Sequence, residues 1–224
     1  AAPAPQSPGA PPLADWAPGV QPLATSTPEQ EVLAHVPPGL SAETPATLVL
    51  ALHGAGGDAR GGLAPLTPYA DDARLLLVAP SSVGPTWDAI GGEWGPDVGL
   101  VDASLREALE RWPVRRDRLV VSGFSDGASY ALGLGLANGD LATHVVAFAP
   151  GFVPSAPTAG TPAVFVTHGV ADDVLPIERT SRRIVPRLEE RGHAVEYREF
   201  EGGHVVPPDL AAEAVRWLEP GTGG

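Results

Sequence analysis

The stretch "VVSGFSDGASYALGLGLA", Val120 to Ala137, sets Ser125 between two glycines where an apolar, strand-like run gives way to a helix-like one. Gly-x-Ser-x-Gly in that position reads as a tight strand-to-helix turn that exposes a serine hydroxyl. The pattern alone does not decide the matter. Gly fills 27 of the 224 positions, and with that composition the pentapeptide arises by chance in about one such chain in six. The decision rests on what surrounds it.

Working outward, further apolar runs end in glycine turns or loops. "TLVLAL" (Thr47–Leu52) leads into "HGAGGD", and "RLLLVA" (Arg74–Ala79), "HVVAFA" (His144–Ala149) and "AVFVTH" (Ala163–His168) follow the same pattern. Continuous apolar runs of this length predict strands buried on both faces. "AVEYREF" (Ala194–Phe200) alternates as an end strand would, and "EQEVLAHVPPG" reads as an edge strand stopped by Pro37 and Pro38. Between them, Val98, Val101, Leu105, Leu109 and Trp112 recur at helical spacing, as do Ile177, Ile184 and Leu188, and Leu210, Ala214, Trp217 and Leu218. Strands alternating with helices predict one α/β domain, a mostly parallel sheet covered on both faces, with chemistry beyond the carboxyl ends of the strands.

Composition bounds the function. The chain has 43% hydrophobic and 18% charged residues and a net charge of −13, which argues against nucleic acid or an anionic membrane as partner. No apolar run reaches the ~20 residues of a membrane span. Without cysteine, neither a disulfide nor a thiolate nucleophile is available. Residues 1–28 read as a Pro/Ala-rich extension or linker before a domain spanning 29–220. With no Met at position 1, the start fits a chain whose signal peptide was removed, so a secreted or periplasmic location is expected, with a trimmed cytoplasmic protein as the alternative.

Ser125 needs a base to take its proton and a carboxylate to orient that base. In the order serine, acid, histidine, the acids of "HGVADD" come next, and Asp172, which closes "HGVAD", is preferred to Asp173. Beyond them lie His193, in a polar connector where an exposed imidazole is common, and His204, on a glycine-softened loop before the last helix. His204 is the expected base. The turn "HGAGG" can present the Ala55 N–H beside the Asp126 N–H as an oxyanion hole. His53 and His168 are expected to hold strand-end loops, and His35 and His144 to be structural or exposed. Trp87 and Trp94 in "PTWDAIGGEWGPD" are candidate walls of an acyl pocket, with Leu175 and Val205 opposite. No HExxH and no helical His pair occurs, so neither a metal nor another cofactor is expected.

Taken together, "LHGAGGD", "GFSDGASYAL", "HGVADDVLPI" and "GGHVVPPDLAAEAVRWL", in this order, resemble the small serine esterases of the α/β-hydrolase superfamily, the phospholipase/carboxylesterase and polyhydroxybutyrate-depolymerase-like group. The resemblance covers about Glu31 to Leu218, including "GPDVGLVDASL". It implies an α/β-hydrolase fold and ester hydrolysis by Ser125, His204 and Asp172; with no insertion between strands long enough to build a helical cap, a form without a cap domain is expected. Acyl-protein thioesterases in that neighbourhood carry Gln where this chain has Asp126. The expected reaction is hydrolysis of short-chain carboxylic esters, small or polymeric. Polyester depolymerase and acyl thioesterase are the rival activities, and a non-catalytic ligand-binding relative is the rival of a different class.

Overall fold

The computed structural model describes residues 16–25, 27 and 29–219. Among the described residues eight strands form one sheet: β1 (Gly19–Pro22), β2 (Val32–Val36), β3 (Ala46–Leu52), β4 (Leu75–Pro80), β5 (Val114–Phe124), β6 (Ala142–Phe148), β7 (Ala163–Gly169) and β8 (Val195–Phe200), in the order β1-β2-β4-β3-β5-β6-β7-β8. Pairing is parallel from β4 through β8, whereas β2 runs antiparallel to both β4 and β1. Every residue of β3 and β4 is buried, as their unbroken apolar runs require, while the alternating β8 lies at the edge and is half-exposed.

The helices are α1 (Ala59–Leu63), α2 (Thr67–Ala70), α3 (Pro96–Arg111), α4 (Asp126–Ala137), α5 (Ser181–Glu190) and α6 (Pro208–Trp217). The two-residue period of β3 sorts them. Val49 and Ala51 face α1, α2 and α6, whereas Leu50 and Leu52 face α4 and α5. Helix α3 covers Leu48 together with Val32, Ala34, Leu76 and Val78 through Leu100, Ala108 and Trp112.

Three features depart from the sequence expectation. The boundary drawn between residues 28 and 29 falls inside the sheet, because Gly19–Pro22 pairs with Leu33–Val36; residues 1–15, 26 and 28 of the expected linker lie outside the described residues. As a result β2 is not an edge: β1 covers it, and all five of its residues are buried. The crossover from β6 to the parallel β7, residues 149–162, carries no helix. Such crossovers usually do, but Pro150, Pro154, Pro157 and Pro162 remove the N–H groups a helix needs. The segment instead leans on the end of α4 through Ala159 N–H to Leu136 O and a Gly139–Gly160 bridge. Among the described residues no helix is long and apolar enough to cross a membrane.

Helix α4 meets the sheet at backbone distance. A methyl group on Gly123 would lie 2.2 Å from Gly127 O, and one on Gly127 would lie 2.3 Å from Leu52 O and 2.4 Å from His53 O. Backbone hems both positions in, so no side chain can swing away to make room. In an exposed helix Gly→Ala gains about 1 kcal/mol; here overpacking reverses the sign. Gly127→Ala should lower unfolding free energy by about 3 kcal/mol or more in urea titration. A loss below about 1 kcal/mol would mean that the helix can shift outward.

Candidate active site

Strand β5 ends at Phe124 and α4 begins at Asp126, so the whole reversal falls on Ser125, at φ 58° and ψ −120°. A positive φ at a residue with a Cβ costs on the order of 1–3 kcal/mol. Burial of Tyr130, Leu132, Leu134 and Leu136 in α4 outweighs this, since each such side chain contributes about 1.5–3 kcal/mol. The Ser125 N–H donates to Phe148 O at the end of β6 (2.9 Å), which holds the turn to the neighbouring strand.

The Ser125 hydroxyl lies 2.8 Å from His204 Nε2, and His204 Nδ1 lies 2.6 Å from Asp172 Oδ2. His204 comes from the loop between β8 and α6, its ring tilted over Phe124 at 4.8 Å. Asp172 comes from the turn after β7 and is buried, and its Oδ1 accepts the Val174 and Leu175 N–H groups at 3.0 and 2.8 Å. Because the carboxylate can only accept, it fixes the proton on Nδ1 and leaves Nε2 to accept from the serine hydroxyl. Burial pushes the Asp172 carboxyl upward. The Leu175 N–H, the His204 bond and the two imidazoles together outweigh it and hold the carboxyl below the usual Asp range. Asp173 is exposed and bonds to none of these groups.

A second histidine braces the same acid. His168, fully buried, places Nε2 at 2.8 Å from Leu175 O and 3.2 Å from Asp172 Oδ2, with Nδ1 at 2.7 Å from Ser181 Oγ. Burial pushes its pKa down, so the neutral ring donates from Nε2 and accepts from Ser181. The Asp172 turn is thereby tied to the start of α5.

His53 plays the corresponding part in the turn after β3. Its Nε2 accepts the Ser82 N–H (3.0 Å), so Nδ1 carries the proton and donates to Gly54 O at 2.7 Å. Gly57 N–H donates to that carbonyl too, at 3.0 Å. The Gly54–Ala55 peptide is trans, so a carbonyl held on one side turns the Ala55 N–H to the other. The turn lies directly against Ser125, for a methyl on Gly54 would sit 3.3 Å from its Cβ. Asp126, whose N–H opens α4, binds the loop after β4 by accepting from Thr86 Oγ1 at 2.7 Å. That bond is the role of a carboxylate for which the sequence offered none.

The four candidate pocket residues fare differently. Trp87 is fully buried, donates from Nε1 to His53 O (2.8 Å) and stacks on Tyr130 at 5.2 Å, so it supports the His53 turn and has no face for a substrate. Trp94 is half-buried against Tyr130, and its Nε1 donates to Ser155 O (2.9 Å), which places it as a strut under the 149–162 segment. Both corrections have one cause: the two indoles pack on Tyr130 of α4, and Trp94 also lies against Gly133. Leu175 packs against Gly151 beside the Asp172 turn, and Val205, next to His204, is 52% exposed. His193, expected in solvent, is buried with Nδ1 bonded to Pro162 O (3.0 Å).

Sequence reasoning missed Asp97. Buried at the start of α3, it accepts the Val83 and Asp88 N–H groups at 2.8 and 2.9 Å, while its own N–H donates to Asp88 Oδ2 at 2.8 Å. Burial raises its carboxyl above the usual range. The reciprocal pair clamps the loop that carries Thr86 and Trp87. The available signal was Pro-Asp in the first helical turn, where an acid satisfies free N–H groups.

The chain is similar to known proteins. Residues 98–219 match the phospholipase/carboxylesterase family model, a span that includes Ser125, Asp172 and His204. A probable feruloyl esterase C from Aspergillus oryzae is 26% identical over 158 residues, 67% of this chain and 57% of that protein. The chain thus spans 57% of the length of the curated relatives it matches. Among solved structures, esterase PE8 is 26% identical with a TM-score of 0.66, over 80% of this chain and 94% of that one. A phospholipase/carboxylesterase from Dyadobacter fermentans, 20% identical, has a TM-score of 0.67 over 84% and 96%. With more than half of its residues inside the family model and the α/β-hydrolase strand order in its sheet, the chain belongs to the phospholipase/carboxylesterase family.

Proposed function

We propose that this protein is a serine carboxylesterase that hydrolyses short-chain carboxylic esters through an acyl-enzyme. The observation that carries the reading is the unbroken chain of hydrogen bonds from Ser125 Oγ through His204 to Asp172, at 2.8 and 2.6 Å, on a turn held at φ 58°. Ser125 Oγ attacks the ester carbonyl carbon as its proton passes to His204 Nε2. The oxyanion that forms accepts from the Ala55 and Asp126 N–H groups, each worth on the order of 10²–10³ in rate. His204 then returns the proton to the departing alkoxide, leaving the acyl group on Ser125. Water attacks that ester next, loses its proton to His204, and the acid departs as Ser125 regains its hydrogen. Asp172 keeps the imidazole in the required tautomer and offsets its positive charge.

The short-chain preference rests on the apolar surface available. Loops at the strand ends offer Leu175 and the exposed side chains of Phe152, Val174 and Val205. A few such contacts reward only a few methylenes, at about 0.8 kcal/mol each. The same exposed rim, with no cap above it among the described residues, favours a polyester chain as the second reading.

A panel of p-nitrophenyl esters of increasing length, with a polyester film and a thioester alongside, tests the substrate class. Turnover should be highest for the short esters and fall along the series. Ser125→Ala and His204→Ala should each lower p-nitrophenyl butyrate turnover by on the order of 10⁴–10⁶ with thermal stability near wild type. An organophosphate should label Ser125; a folded protein left unlabelled contradicts the reading. Asp172→Asn should lose most activity and Asp173→Asn keep most, and the reverse would reassign the acid.

The lowered Asp172 pKa adds a stability signature. A carboxyl held below its unfolded value contributes stability above that value, about 3.9, and loses it as pH falls through the folded value. The gap in unfolding free energy between wild type and Asp172→Asn should therefore shrink below about pH 4. A gap independent of pH would mean the carboxylate gains nothing from its partners.

A further inference from the structure

The helix-free crossover leaves a groove of about 400 Å³ between residues 149–162 and α5. Arg179, Arg183, Arg187 and Arg191 line one wall, and among the described residues no acidic side chain lines any part of it. The four recur at every fourth residue: Arg183 and Arg187 stand one step of about 6 Å apart on α5, with Arg179 and Arg191 in the turns flanking it. All four are exposed, and none has an ion pair with a described residue; the Arg183 side chain donates only to the Glu178 carbonyl. Their neighbour Arg182, by contrast, pairs with both Glu178 and Glu199. In a chain with 27 acidic residues against 14 basic ones, this groove gathers four guanidinium groups while Glu178, Glu189 and Glu190 of the same segment stay outside its lining.

One end of the groove is tied to α4 one turn beyond Ser125. Gly151 and Phe152 line it; the Gly151 N–H donates to Ser129 Oγ (2.9 Å), one turn of α4 beyond Ser125, and Leu175 packs on Gly151. The opposite wall is held in place by the Trp94–Ser155 bond and the Gly139–Gly160 bridge.

We infer that this groove binds a linear ligand carrying two or more oxyanion groups, carboxylate or phosphate, and that it positions esters bearing such groups at Ser125. A guanidinium fork matches either group bidentately, and the row supplies several at regular spacing. The second half of the inference rests on the esterase reading; the first does not.

Calorimetry on the full chain tests it with trigalacturonate as the carboxylate probe, tripolyphosphate as the phosphate probe, and fully methyl-esterified trigalacturonate as the neutral control. Wild type should bind at least one anionic probe and not the control. Binding should weaken at least 10-fold in Arg183→Gln/Arg187→Gln, and again when salt rises from about 0.02 to about 0.2 M. Which probe binds identifies the oxyanion. Arg187→Gln/Arg191→Gln repeats the test on a second pair. Neither anion binding, or equal binding by both variants and wild type, overturns the groove.

For positioning, the ratio of kcat/KM for mono-p-nitrophenyl glutarate to that for p-nitrophenyl butyrate should fall about 10-fold in the double variants. An unchanged ratio overturns that half. If wild type turns over neither ester, the esterase reading fails, and the calorimetric result still decides the groove.

Discussion

Helix α4 enters the sheet so closely that backbone meets backbone, and the rest of the site is built around that approach. Gly123 packs on Gly127, and Gly127 packs on the carbonyls of Leu52 and His53. With no room on either side, the chain can turn from β5 into α4 only through a single residue at positive φ. That residue carries a hydroxyl, which the turn lifts above the strand ends. The buried face of α4 supplies more than enough free energy to hold the strained position. The same contact brings the β3 turn against Ser125, so the placement of that turn and of the hydroxyl share one mechanical origin.

Around this turn, polar groups are arranged in opposed pairs. Asp172 binds His204 through one oxygen and two backbone amides through the other. His168 ties the acid's turn to α5, and His53 ties the β3 turn to the loop after β4. Asp126 and the Asp88–Asp97 pair hold that loop from the other end. His53, His168, His204, Asp126 and Asp172 near Ser125 thus each have a hydrogen-bond partner on a neighbouring element or turn. Preorganisation of this kind is what lets fixed dipoles act on a developing charge without reorientation.

Opposite this rigid region, the proline-rich β6–β7 crossover opens the molecule. A helix there would pack on α4 and α5 and close the surface. The extended segment instead leaves a trough whose arginine wall runs away from Ser125. An overall charge of −13 and a local row of unpaired cations are compatible, because screening confines surface fields to about 10 Å.

Much of the fold was legible in the residues. Buried parallel strands announce themselves as unbroken apolar runs, and β3 to β7 were readable within a few residues on that basis. The edge was misread, because Gly19–Pro22 is a short, half-exposed strand whose only signal is its partner. His193 and Trp87 were misread for a related reason: a loop residue's burial depends on what folds over it. The serine, acid and histidine could be ordered from their places after successive strands. The choice between Asp172 and Asp173 had only a short pattern behind it, and the direction of each side chain in the folded turn separates them.

By itself, then, the sequence determined the period of each element, the glycines that permit close approach, the prolines that forbid a crossover helix, and the residue types at each strand end. These are local properties, set by sterics and hydrogen-bonding capacity within a few positions of the chain. Only the tertiary structure decided that His53 holds a peptide plane, that Asp126 binds Thr86, that the indoles are struts, and that four arginines share one acid-free groove. Each of those joins elements whose separation in sequence says nothing of their distance. Distance and direction, on which hydrogen bonds and fields depend, exist only once the sheet has set the order of its strands.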